Sequence, residues 1–481
     1  MTILDTTSDQ AKSPPHRHPA LPVANPDDRT LTRQLAYVLL FALLLRLGYQ
    51  AAMPWFGGSY HNGSDSGKYL EVAHAMLTGG VVETDRAPFY MFFLFLVFKI
   101  VGSESFRAVV TAQSFLDTLS VLAIALSARA FGRQLVIPSA IVAAIIPNFI
   151  VHSSYVLSET LFLFFFAWGI CALLWAIRGK SPVLLFAVSG MLFGLSLWTR
   201  LALTFYPFFF IPAVLIALRL DQKLSWLRCA GLALVTPAAM AVTMTPLLIY
   251  NYLVYDHAAL TSQQGEHLIV VYGWLATPWF GADRLAVRLK LMSEVAAYIK
   301  TIGGDNANTF AVGAFMQKLA FERILELPPW QIAWGVSWGA FKNLMQTGFY
   351  QVLSQFNQPL TFFSTMRAPT VPGRIYEFMQ TNWNSPFMVM WVISQVTLVF
   401  SRLVQAFGAV TGLRRAEFRG LTLFLLATIA YFLAINGPIA DPKYRIPIEP
   451  ALILLFALGL TQNPTVLRCV RCCRSAARIP S

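Results

Sequence analysis

Pro88-Phe-Tyr-Met-Phe-Phe-Leu-Phe-Leu-Val-Phe-Lys-Ile-Val-Gly102 is apolar almost throughout, yet it is short for the roughly 20 residues that a transmembrane helix needs, and Lys99 stands near its end. Whether it crosses a bilayer decides the side of everything after it. If it does not cross, the loops holding Arg129 and Arg133, Arg178 and Lys180, Arg219, Lys223 and Arg228, and Arg414, Arg415 and Arg419 all share a side with both termini. The opposite short loops hold Arg200, Lys443 and Arg445, so the balance is ten basic residues against three. Short cytoplasmic loops carry the excess of Lys and Arg. The segment 88–102 is therefore expected to lie on the outer leaflet as an interfacial helix, leaving both termini cytoplasmic.

Ten other apolar runs suit spanning helices, near 33–53, 107–129, 135–152, 160–177, 182–198, 203–219, 226–250, 386–411, 420–436 and 447–461. Composition agrees: the 481 residues are 56% hydrophobic and 12% charged, where soluble domains carry about 25% charged residues. Mean hydropathy is +0.58. The net charge of +13 lies in short clusters between apolar runs, a pattern set by membrane topology and not by nucleic acid.

The expected organisation is an all-α polytopic membrane protein. A disordered cytosolic leader occupies 1–30. A membrane core over 31–250 includes a first outer loop at 54–106, and a helical outer region covers 251–385. The last spans lie in 386–461 and a basic cytosolic tail in 462–481. Trp274, Trp279, Trp330, Trp334 and Trp338 suggest that the large outer region rests on the membrane surface. Cys469, Cys472 and Cys473 have no nearby His and are too few for a closed zinc site.

Charged residues cluster at the outer edge. His61-Asn-Gly-Ser-Asp65 reads as a helix start, followed by Tyr69, Val72, Ala73 and Met76 at helical spacing. Arg86 precedes the interfacial segment, where it either snorkels to headgroups or grips a phosphate. Glu159 stands between two predicted helices, Arg200 follows Leu197-Trp-Thr199, and Lys443, Tyr444 and Arg445 precede the last span. Acids and bases gathered at one depth suit an anionic lipid-linked substrate beside a general base. A transporter would instead place charges at mid-membrane on broken helices, and here only Arg46 and Asp117 look intramembrane.

The ordered set of motifs resembles the GT-C class of membrane-embedded glycosyltransferases. Its closest likeness is to bacterial relatives of dolichyl-phosphate-mannose–protein mannosyltransferases, including lipid A aminoarabinose transferases. The matching residues are Asp65, Tyr69, Ala73 and Gly79-Gly80, then Arg86, Pro88 and Tyr90, then Pro147, Ser153, Ser158, Glu159, Leu161 and Phe162. Gly194, Leu195 and Arg200 follow, and finally Tyr444, Arg445, Pro447 and Pro450. The resemblance implies transfer of a sugar from a polyprenyl-phosphate donor to an outer-leaflet or periplasmic acceptor at the inner (plasma) membrane. It assigns Asp65 as general base, Glu159 as the second acidic position (Asp in several branches), and Arg86, Arg200 and Arg445 as neighbours of the donor phosphate. Some branches use a divalent metal, for which Glu83, His61, His257 and His267 are the candidate ligands, although none has ligand spacing. A lipid-linked oligosaccharide polymerase or ligase has a similar layout but would lack the acidic first loop.

Overall fold

The computed structural model describes residues 26–60, 63–80, 85–179, 182–277, 284–304, 307–357, 361, 366–385 and 387–462. The first 25 residues, the cysteine-bearing tail, His61 and Glu83 lie outside the described residues. Among the described residues every regular element is helical.

Helix α1 (Pro26–Ala52) leads to the paired short helices α2 (Gly63–Leu77) and α3 (Phe89–Val101). Then come α4 (Phe106–Ala128), α5 (Val136–Ile145), α6 (Pro147–Ser153), α7 (Glu159–Arg178), α8 (Pro182–Thr199), α9 (Tyr206–Asp221) and α10 (Trp226–Tyr255). The region that follows holds α11 (Gln264–Ala276), α12 (Arg284–Thr301), α13 (Thr309–Leu325), α14 (Pro329–Met345), α15 (Phe349–Gln355) and α16 (Val371–Asn382). Three last helices close the bundle: α17 (Phe387–Arg414), α18 (Ala416–Asn436) and α19 (Glu449–Thr461).

The ten expected runs fall on helical segments, the one at 135–152 on two helices, α5 and α6. Seven helices are long and apolar enough to cross a membrane by length and composition, and eight if the bent pair α5–α6 counts as one span. That pair bends by 53°. The bend has a local cause: Pro147 lacks the N–H that would continue α5, and the residue before a proline is driven out of the helical region. Ile146 accordingly has φ −59° and ψ 119°. The buried Arg46 holds the break by donating to the carbonyls of Ala42 and Ala144, each at 3.0 Å, while pairing with Asp117. This intramembrane pair is thus spent inside the bundle on closing the end of α5.

Helix α3 has 13 residues. At 1.5 Å per residue it is about 20 Å long, against about 30 Å of hydrocarbon core. The stretch from Tyr60 to Gln113, which contains α2 and α3, also begins and ends at one end of the bundle. The Tyr60 hydroxyl donates to the carbonyl of Gln50, late in α1, at 3.1 Å, and the Gln113 amide of α4 donates to the carbonyls of Ser153 and Tyr155. The other end of the bundle is marked by Arg133 with Asp28 at 3.4 Å, by Arg178 with the carbonyl of Glu417, and by Gln222 with that of Ala176 at 3.4 Å.

The core is aromatic. Phe166, Phe193, Tyr206, Phe210 and Phe432 bring α7, α8, α9 and α18 together in edge-on and tilted contacts. Where α17 meets α19, small residues permit close approach, as in membrane helix pairs. A Cβ on Gly408 would lie 1.9 Å from the carbonyl oxygen of Leu455, and one on Gly459 2.2 Å from that of Val404. The outer face of α17, with Val389, Ile393, Val396 and Phe400 exposed, suits acyl chains.

Candidate active site

The site is built on α2, whose first turn contains Asp65. A carboxylate there is favoured by the helix dipole. The start of α2 is tied to the loop between α6 and α7: Ser66 Oγ donates to the carbonyl of Val156 at 2.9 Å, and the Val156 N–H donates to that of Tyr60 at 2.9 Å. One turn on, Tyr69 places its hydroxyl 3.3 Å from Ser158 Oγ and its ring 5.6 Å from the Arg86 guanidinium. Tyr90 packs edge-on against Tyr69 and donates to Gln113 Oε1 at 2.6 Å.

Asp65 receives two cations. Arg86 Nη1 is 2.9 Å from Oδ1, and Lys443 Nζ is 3.7 Å from Oδ2. Burial raises the carboxyl pKa, but Lys443, Arg86 and Arg200 outweigh it and hold Asp65 below its ordinary value. Glu159, the first residue of α7, pairs with Arg200, whose Nη1 also lies 3.4 Å from Ser158 Oγ. Arg200 reaches α7 because the chain leaves α8 in an extended conformation there, with φ −154° and ψ 136°.

Lys443 lies on a 3-10 turn, Pro442–Ile448, whose entry is capped by Asp441: its Oδ1 accepts from the Lys443 N–H at 2.9 Å. Gln351 of α15 donates to the same oxygen at 3.0 Å, Asn148 of α6 donates to the Pro442 carbonyl at 2.9 Å, and Asn343 of α14 accepts from the Asp441 N–H at 3.0 Å. Tyr444 sits with its ring 5.4 Å from the Lys443 ammonium.

Asp65, Tyr69, Arg86, Glu159, Arg200, Lys443 and Tyr444 therefore come together. Arg445 does not join them. It is buried, 2.5 Å from Glu449, and donates to the carbonyls of Asn343, at 3.2 Å, and Gln346 at the end of α14. A 3-10 turn rotates about 120° per residue, so Lys443 and Arg445 leave it on different sides. Residues that the sequence did not single out complete the frame, namely Gln113, Asn148, Asn343 and Gln351. Their only signal was an amide within or beside an apolar helix.

His267 on α11 faces the same cluster. Burial, together with the charges of Arg200 and Lys443, takes its pKa down to about 4. His257 lies elsewhere, with Nδ1 2.9 Å from the carbonyl oxygen of Tyr255 and its ring against Phe310. Among the described residues no group of three or more His, Cys, Asp or Glu is arranged to hold a metal ion, and both site carboxylates already face cations. Two of the four candidate ligands, His61 and Glu83, lie outside the described residues.

No protein-family model matches the sequence, and no curated protein matches it. Solved structures do. The apo crystal structure of the Archaeoglobus fulgidus oligosaccharyltransferase aligns with a TM-score of 0.55 at 14% identity, over 94% of this chain and 52% of that one. The fold is GT-C. Two further structures of the archaeal enzyme share it. The AglB complex with an inhibitory peptide and a dolichol-phosphate gives a TM-score of 0.53 at 15% identity, over 95% of this chain and 53% of that one. The form tethered to an acceptor peptide containing the NVT sequon gives 0.52 at 14%, over 94% and 52%. The chain spans about half the length of these structures. Within this GT-C bundle the Asp65 cluster lies where α2 and the α6–α7 loop meet the turn before α19.

Proposed function

We propose that this protein is an inverting glycosyltransferase of the plasma (inner) membrane. It moves a sugar from a polyprenyl-phosphate donor to an acceptor hydroxyl at the outer face, with both termini cytoplasmic. The observation that carries this reading is a half-exposed carboxylate held ionised between two cations, with an Arg–Glu pair beside it. The Asp65 side chain is 38% exposed and that of Glu159 4%. Asp65 is thus the carboxylate that a substrate reaches, and Glu159 the one that positions Arg200.

In the proposed step the acceptor oxygen bonds to the anomeric carbon while its proton passes to Asp65. The bond from that carbon to the phosphate oxygen breaks on the opposite side, and polyprenyl phosphate leaves with the electron pair. A phosphate leaves without a general acid, but its charge needs cations, and Lys443, Arg200 and Arg86 supply them. Tyr69 and Tyr444 flank these cations and line the substrate space. The dolichol-phosphate held in one structure of the archaeal enzyme supports a lipid-phosphate carrier.

Mass analysis of envelope glycans with and without the protein tests the reading. Loss of one sugar, together with release of polyprenyl phosphate by the purified protein, is the expected result. An unchanged envelope and no turnover of any polyprenyl-phosphate sugar would end it.

A further inference from the structure

A second surface joins three elements of the 251–385 region. Trp274 lies two turns beyond His267 on α11, and two cations share its indole. The Arg284 guanidinium, at the start of α12, is 3.8 Å from the ring centroid, and the Lys342 ammonium, near the end of α14, is 4.6 Å from it. Among the described residues no carboxylate pairs with either. Burial disfavours both charges: it lowers the Arg284 pKa and, with the Arg284 charge adding to it, takes Lys342 down to about 8. Cation–π attraction holds each group on the ring. An anion between them would relieve their mutual repulsion.

Lys342 also ends an aromatic stripe. Trp330, Trp334 and Trp338 recur every fourth residue along α14. Trp334 stacks on Trp338 at 6.0 Å, and Trp338 on Phe341 at 5.4 Å. Trp330 and Trp334 are 60% and 43% exposed and border a groove of about 420 Å³. The face of α14 one residue on, turned by about 100°, is the one packed on the bundle: a Cβ on Gly339 would meet the carbonyl of Gly437, and Asn343 donates to that of Ile439 at 2.9 Å. With Trp330 and Trp334 exposed, the stripe faces outward.

We propose that this surface binds a lipid whose head is a phosphate monoester, with the phosphate between Arg284 and Lys342 and the chain along Trp338, Trp334 and Trp330. A phosphate monoester carries a charge of about −1.5 to −2 at neutral pH, which matches two cations that no carboxylate pairs with among the described residues, whereas a diester carries one charge. The narrow stripe suits a chain and not a broad polar surface. Any link to catalysis rests on the proposed function, in which the released polyprenyl phosphate belongs to this chemical class. Asn343, beside Lys342, bonds the backbone that leads to Lys443.

The test reads Lys342 directly. The full-length protein is placed in nanodiscs of phosphatidylcholine alone, or with phosphatidate (a monoester) or phosphatidylglycerol (a diester). Acylation of Lys342 by a water-soluble amine reagent is then followed by peptide mass spectrometry. Phosphatidate should slow acylation about tenfold, the change expected if a bound dianion raises the ammonium pKa by about one unit. Arg284→Gln should abolish the protection while Lys342 stays reactive, and Trp334→Ala should weaken it. Equal rates in all three lipids would overturn the proposal. So would phosphatidylglycerol protecting as fully as phosphatidate, or inorganic phosphate in phosphatidylcholine discs protecting as well as the lipid. Activity is not the readout, so either reading can fail while the other stands.

Discussion

Arg86 and Lys443 take opposite oxygens of one carboxylate: Arg86 Nη1 lies 2.9 Å from Asp65 Oδ1, and Lys443 Nζ lies 3.7 Å from Asp65 Oδ2. The two cations come from chain segments more than 350 residues apart. Asp65 is thereby kept ionised and aimed before any substrate arrives.

Asp65→Asn removes the base and keeps the shape of the side chain. Asp65 is the third residue of α2, where losing a carboxylate's interaction with the helix dipole costs only about 0.3–1 kcal/mol, so folding and insertion should survive. Asn cannot accept the hydroxyl proton, and turnover should fall by at least about 10²-fold. Near wild-type turnover by the purified variant would shift the role of base elsewhere.

The pH profile carries the same signature. The folded-state pKa of Asp65 lies below its unfolded value of about 3.9. Its contribution to stability is therefore present above the unfolded pKa and is lost as pH falls through the folded one. The acid limb of kcat/KM should lie below the ordinary Asp range, and Lys443→Met should move it upward. A limb that Lys443→Met leaves in place counts against Asp65. His267 has the same sign for stability: the unfolded chain takes up its proton near 6.5 and the folded chain only near 4. Stability is lost as pH falls from about 6.5 towards 4, and His267→Asn should flatten that slope in thermal unfolding.

The Glu159–Arg200 pair is expected to act as a unit. Removing one partner of a buried pair leaves an uncompensated charge and costs about 3–5 kcal/mol, while replacing both costs much less. Glu159→Gln and Arg200→Gln should each lower the Tm. The double variant should regain most of the Tm yet remain at least tenfold slower, because the cation at the phosphate is gone. Recovery of both properties would make the pair purely structural.

Arg445 should behave as a strut. Arg445→Ala leaves Glu449 buried without its partner and two α14 carbonyls without their donor, at a cost of about 3–5 kcal/mol. Thermal unfolding in detergent should show that loss, with the KM for donor unchanged in the protein that folds. A raised KM at unchanged stability would return Arg445 to the phosphate.

Sidedness is checked in whole cells. Cysteines placed at Gln134 and Arg415 sit at the end of the bundle away from Asp65 and should resist an impermeant maleimide. Labelling of both from outside would invert the topology.

Much of this architecture was legible in the sequence, because a bilayer imposes local rules. Backbone groups in hydrocarbon must bond within their own segment, so each span announces itself as a continuous apolar run. Ten such runs fell on helical segments, and the short 88–102 segment fell on α3. Asp65, Tyr69, Arg86, Glu159, Arg200, Lys443 and Tyr444 could be singled out because charged and polar side chains stand out at the ends of apolar helices. What the sequence could not say is which of them face one another. Lys443 and Arg445 are two residues apart and chemically alike, yet one points to Asp65 and the other to Glu449. The pitch of a 3-10 turn and the position of the α14 carbonyls decide that, and both are consequences of packing. The buried amides of Asn148, Asn343 and Gln351 have no local pattern at all. Their partners are backbone groups and side chains about 90 or more residues away, and only the folded chain brings them within hydrogen-bonding distance.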